Sequence, residues 1–141
     1  ENSQTQKVFD FIGEDKSPWD MQDILNRHDL VTNPPFSLAE QFVRKAMDRL
    51  VTGSRIIFLL RLQFLEGKAR FKFFDDYPPV YVYIHSSRIA VAKNADFKKY
   101  EKGGKSMAFA WFVWEVGTKE PTEIRWIDPD KRFIDTTLAV R

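Results

Sequence analysis

Asn33-Pro34-Pro35-Phe36 places an amide, two prolines and an aromatic ring in consecutive positions. Proline fixes φ and has no N–H, so the carbonyls of such a turn point outward with no donor of their own to compete. An Asn side-chain oxygen and a Pro carbonyl can each accept a hydrogen bond from an exocyclic NH2 group on a flat ring. The Phe36 ring can stack on that ring. The plainer alternative is a Pro-Pro turn that ends a strand, with Phe36 in the core.

A second group of residues is basic. Arg88, Lys93, Lys98, Lys99, Lys102 and Lys105 lie in a stretch whose acids are Asp96 and Glu101. Its local charge exceeds the net +2 of the whole chain. It reads either as a solvated loop or as one that contacts phosphates. Arg61 lies within an apolar strand, where an unpaired buried guanidinium would be costly. It is therefore expected to reach the sheet's carboxyl edge or a carboxylate partner, with phosphate contact open. His28 and His85 have no metal-ligand spacing, so one is expected at the surface and one at a strand end. The four tryptophans read as core. Trp111 and Trp114, three apart in a strand, must face opposite sides.

The elements that position these groups can be read from periodicity. Val8–Ile12 suggests a short strand, and Ser17-Pro18 starts a helix to about Asn26. Asp29–Thr32 is a short strand leading into the Pro-Pro turn. Ser37–Leu50 is the clearest helix. Leu38, Ala39, Phe42, Val43, Ala46, Met47 and Leu50 fall on one face, and Ser37-x-x-Glu40 has the form of a capping box. Arg55–Leu62 is nearly all apolar, as in a strand buried on both faces. Glu66–Phe74 reads as a basic helix. Val80–His85, Met107–Trp114 and Glu123–Ile127 read as strands. Strands alternating with helices imply an α/β sheet with right-handed crossovers. Ligands in such sheets bind beyond the carboxyl ends of the strands, which is where the Pro-Pro turn belongs.

At 141 residues one domain is expected, with residues 1–27 an N-terminal strand and helix, 28–128 the core and 129–141 a tail. The absence of cysteine excludes disulfides and thiolate metal sites and suits a reducing cytoplasm. Residues 1–7 are polar, unlike a signal peptide. No apolar run reaches membrane-spanning length, so no membrane partner is expected.

The tetrapeptide resembles the catalytic Asp/Asn/Ser-Pro-Pro-Tyr/Phe motif of S-adenosylmethionine-dependent amino methyltransferases. Thr32–Phe42, Leu59–Gly67 and Met107–Glu115, with Ile124–Asp128 near the end, are similar to phage and prophage adenine-N6 DNA methyltransferases. The resemblance spans roughly residues 28 to 128. It implies a partial Rossmann-like methyltransferase sheet, mostly parallel with one antiparallel strand, and S-adenosylmethionine as cofactor. It implies methyl transfer to the N6 amine of adenine in DNA, inside a bacterial cell. Asn33, Pro34, Pro35 and Phe36 would be catalytic, with Phe36 stacking on a flipped adenine. Asp10 and Phe11 would flank the cofactor's adenine, and the basic stretch would contact DNA.

The family's Gly-rich cofactor turn, and the first two strands that carry it, find no counterpart before Asn33. Phe11-Ile12-Gly13 is a poor echo of that turn. The strand bearing the Pro-Pro turn would then lack a neighbour, an edge that proteins normally cover. A homodimer or a separate cofactor-lobe subunit would cover it. The alternative to an enzyme is a non-catalytic nucleic-acid- or partner-binding module. Asn-Pro-Pro-Phe alone also leaves cytosine-N4 open as the amine.

Overall fold

The computed structural model describes residues 28–87 and 107–128. The expected strand at Val8–Ile12, the helix from Pro18, Asp10 and Phe11, the basic residues from Arg88 to Lys105, Trp19 and the tail beyond Pro129 lie outside the described residues. Along the chain come β1 (Leu30–Thr32), a 3-10 turn (Phe36–Leu38), α1 (Ala39–Arg49) and β2 (Arg55–Arg61). Then follow 3-10 turns at Leu62–Leu65 and Lys68–Arg70, α2 (Phe71–Asp76), β3 (Tyr81–His85), β4 (Phe109–Glu115) and β5 (Glu123–Ile127).

The strands form one five-stranded sheet in the order β1-β2-β4-β3-β5. β1 is parallel to β2, and β3 is parallel to β5. β4 is antiparallel to both of its neighbours. Four strands therefore run one way and β4 the other, the mostly parallel Rossmann-like arrangement expected. The carboxyl ends of β1, β2 and β3 and the start of β4 share one edge of the sheet. Among the described residues β1 pairs with β2 alone.

Alternation along β2 sends Ile56, Phe58 and Leu60 to one face, and all three are fully buried. Their register partners Trp114, Phe112 and Ala110 on β4 continue that face. The three-four spacing of α1 brings Ala39, Val43 and Ala46 into the same core, and Phe42 meets Phe58 edge-on at 6.4 Å. Phe64 and Phe73, T-shaped at 6.0 Å, close the core from the segment after β2. A fully buried ring such as Phe58 stabilises the fold by about 1.5–3 kcal/mol. Trp114 is buried with its indole N–H donating to the Tyr77 carbonyl at 3.0 Å.

Several local expectations change. Ile57 and Leu59 are half-buried, so β2 is fully buried on one face rather than two. Glu66–Phe74 is not one helix: Gly67, at φ 122°, interrupts it, and a 3-10 turn leads into the short α2. A capping box between Ser37 and Glu40 does not form. Ser37 lies inside the 3-10 turn, the N-cap of α1 is Leu38, which has no side-chain cap, and Glu40 instead pairs with Arg70 at 3.3 Å. Trp126 is not core. It is 67% exposed on β5, an edge strand among the described residues. Trp111 is half-buried on the face opposite Trp114, as the spacing requires.

A carboxylate clamp fixes the start of β1 against the start of β2. Asp29 Oδ1 accepts the Arg55 backbone N–H at 2.8 Å. Its Oδ2 accepts Arg55 Nε at 3.1 Å and Nη2 at 2.8 Å. This sets β1 in register, with Thr32 opposite Phe58. The next residues, the Pro-Pro turn, then reach along the sheet edge toward Arg61.

Candidate functional site

The Pro-Pro turn leaves the carboxyl end of β1 anchored on one side and open on the other. Pro34 is buried, while Asn33 and Pro35 are exposed. The Pro35 carbonyl is taken: the Leu38 N–H donates to it at 2.9 Å, starting the 3-10 turn. The Pro34 carbonyl accepts no such bond among the described residues. Proline at 34 and 35 removes two local donors. The exposed Asn33 amide, next to a Pro34 carbonyl without a backbone partner among the described residues, follows the end of β1.

Phe36 is half-buried. Its ring lies under the Arg61 guanidinium, 4.6 Å from ring centroid to Cζ, and 6.0 Å from the Phe109 ring at a 48° tilt. Arg61 ends β2 and Phe109 begins β4, and the two are register partners. The ring is neither simple core nor a bare platform, because a guanidinium already stacks on it. Arg61 reaches the carboxyl edge as the sequence implies, but no carboxylate meets it among the described residues.

The segment after β2 completes this corner, and sequence reasoning gave its residues no role. Arg70 Nη1 donates to the Glu66 carbonyl at 2.7 Å, and its Nε faces Glu40 at 3.3 Å. Its guanidinium also lies over Phe64, 5.0 Å from the ring centroid. A cleft of about 330 Å³ opens here, lined by Phe36, Ser37, Leu60, Arg61, Gln63, Phe64 and Arg70. The available signal was Arg61-x-Gln63-Phe64 directly after an apolar strand, at the same edge as Asn33.

His85 ends β3 at this edge too. Its Nε2 is buried with no hydrogen bond among the described residues, and burial holds its pKa below the ordinary 6.5. Ser86 ties this end to β5, its Oγ donating to the Ile127 carbonyl at 2.6 Å. His28 is half-buried just before β1. Among the described residues no three His, Cys, Asp or Glu side chains are grouped to hold a metal. No helix among them is long and apolar enough to cross a membrane. Ser87 follows β3 and Met107 precedes β4, so both flanks of segment 88–106 stand at the carboxyl edge.

No family model matches the chain, and no curated protein matches it. Among solved structures, the chain is similar to a Listeria monocytogenes protein described as a class I S-adenosylmethionine-dependent methyltransferase. That likeness has 13% identity and a TM-score of 0.42, and covers 72% of this chain and 29% of that one. It is also similar to M1.HpyAVI (8% identity, TM-score 0.37, 73% of this chain, 58% of that one). The complex of M1.HpyAVI with SAM gives 11% identity and a TM-score of 0.35, over 76% of this chain and 60% of that one. The chain thus spans less than two thirds of the length of each. At such scores these likenesses carry no argument, and the fold rests on strand order and direction.

Proposed function

We propose that this chain carries the amine-gripping part of an S-adenosylmethionine-dependent methyltransferase that acts on the N6 amine of adenine in DNA. One observation carries the reading. Asn33 and Pro34 follow directly on the carboxyl end of a parallel strand, where such sheets bind ligands, and the Pro34 carbonyl accepts no backbone hydrogen bond among the described residues.

In this reading Asn33 Oδ1 and the Pro34 carbonyl each accept one N–H of the target amine. That holds the nitrogen in one orientation and keeps its lone pair free of the ring, and positioning of this kind can supply much of a rate enhancement. The cofactor, when bound, supplies an electrophilic methyl on a sulfonium. As the nitrogen–carbon bond forms, the carbon–sulfur bond breaks, and the extra amine proton leaves to solvent. The accessibility of Asn33 suits delivery of that methyl from the open side of the turn. Phe36, braced by Arg61 and Phe109, borders the place where a flipped base would lie.

Asp10 and Phe11 are the residues proposed to flank the cofactor. A cofactor lobe or a second copy of this chain is proposed to pair with β1, which among the described residues pairs with β2 alone. Lys98, Lys99 and Lys102, with Arg88, Lys93 and Lys105, are proposed to contact DNA phosphates, since their segment starts and ends at the edge that bears Asn33.

Calorimetry with S-adenosylmethionine, followed by methyl-transfer assays on adenine and cytosine substrates, tests the reading. Asn33→Ala is expected to abolish transfer. It should change stability by no more than about 0.5 kcal/mol, because the side chain is exposed. Transfer retained by that variant would refute the assigned mechanism. Saturable DNA binding with no cofactor binding would favour a binding module instead.

A further inference from the structure

We propose that the cleft between Phe36 and Arg70 is a binding site for a phosphate group, and that Arg61 is the residue that grips it. A guanidinium carries five N–H donors in a planar fork. Arg61 donates none of them to any described residue, and its Nε is buried without a hydrogen-bond partner. A buried donor left without a partner is costly, and the remaining N–H groups of the guanidinium are the ones a ligand in the cleft can reach. Its one described neighbour of consequence is the Phe36 ring. That contact holds the guanidinium flat and leaves its in-plane N–H groups for a partner.

The second guanidinium on the cleft differs. Arg70 is held by the Glu66 carbonyl and by Glu40, so it is fixed in place and its charge is partly offset. Arg61 has no such counter-charge among the described residues. Among the described residues the cleft therefore presents one uncompensated, pre-oriented fork beside a fixed second cation, with Ser37 and Gln63 as further polar lining. Planar two-point recognition of an oxyanion is what Arg does better than Lys. The cleft adjoins the Pro-Pro turn. The phosphate is therefore assigned to a nucleic-acid strand whose base lies at Asn33. That choice of source rests on the proposed function; the anion site itself does not.

The test uses the whole chain without cofactor. Side-chain 15N–1H spectra of the Arg Nε groups are followed during titration with inorganic phosphate, against chloride at equal ionic strength. A saturable shift of the Arg61 resonance with phosphate alone is expected, and an unmoved resonance overturns the site. Single-stranded oligonucleotide binding is then measured against salt for the wild type, Arg61→Lys and Arg61→Gln. Loss of one phosphate contact should flatten the slope of log K against log salt by about 0.7 in Arg61→Gln, with Arg61→Lys between it and the wild type. A phosphate shift with an unchanged slope keeps the anion site and overturns the strand as its source. Because both readouts are taken without cofactor, failed methyl transfer in the wild type refutes the proposed enzyme and leaves this site standing.

Discussion

Replacing Asp29 with Ala removes the clamp that sets β1 against β2, and with it the support of the Pro-Pro turn. Three contacts are lost at once: the Arg55 backbone N–H at 2.8 Å, Nε at 3.1 Å and Nη2 at 2.8 Å. A hydrogen bond to a charged group contributes about 1.5–3 kcal/mol net. These three share one carboxylate, and the two side chains are 18% and 30% exposed, so solvent screening brings the total well below additivity. The expected loss is about 2 kcal/mol, or about 6–10 °C in Tm for a domain of this size. Thermal and urea unfolding of the wild type, Asp29→Ala, Arg55→Gln and the double variant measure it. A coupling free energy of about 1 kcal/mol or more is expected, as for residues in direct contact. Asp29→Asn should fall between, since it keeps an acceptor for the Arg55 backbone N–H and loses the charge. Zero coupling, or an Asp29→Ala midpoint equal to the wild type's, would refute the view that this pair holds β1 in register.

Trp114→Phe removes a buried indole and leaves the Tyr77 carbonyl without its donor. A cost of about 2–3 kcal/mol is expected in denaturant unfolding, whereas Trp126→Phe, on the exposed edge strand, should stay within about 0.5 kcal/mol. Burial favours neutral His85 in the fold. The fold therefore takes up the imidazole proton less readily than the unfolded chain, so stability is lost as pH falls from 6.5 toward the lower folded value, with no contribution from this titration above 6.5. The wild type should lose stability relative to His85→Gln as pH falls through that acid window, and parallel curves would count against it. Changing Lys98, Lys99 and Lys102 together to Gln should weaken duplex binding and flatten its salt slope by up to about 2.7; an unchanged slope would mean a solvated loop.

The sequence by itself determined the alternation of strands and helices and the core face of α1, because side-chain periods of two and 3.6 are local properties of the chain. It also placed Asn33-Pro34-Pro35-Phe36 at a strand end, since proline chemistry acts on its own neighbours. It misread features that depend on distant partners. Glu40 has capping-box spacing, yet Arg70, thirty residues on, takes its carboxylate. Trp126 looks like core by residue type, and only its place on β5 leaves it exposed. The candidate site divides in the same way. Asn33 and the prolines were legible. The stacking of Arg61 on Phe36, the contact with Phe109, and the cleft shared with Gln63 and Arg70 were decided by tertiary structure. Parallel pairing of β1 with β2, and antiparallel pairing of β2 with β4, bring the ends of three sequence-distant segments to one edge. No local pattern encodes which strand ends meet, because sheet order is set by long-range pairing and by burial of the shared aromatic core.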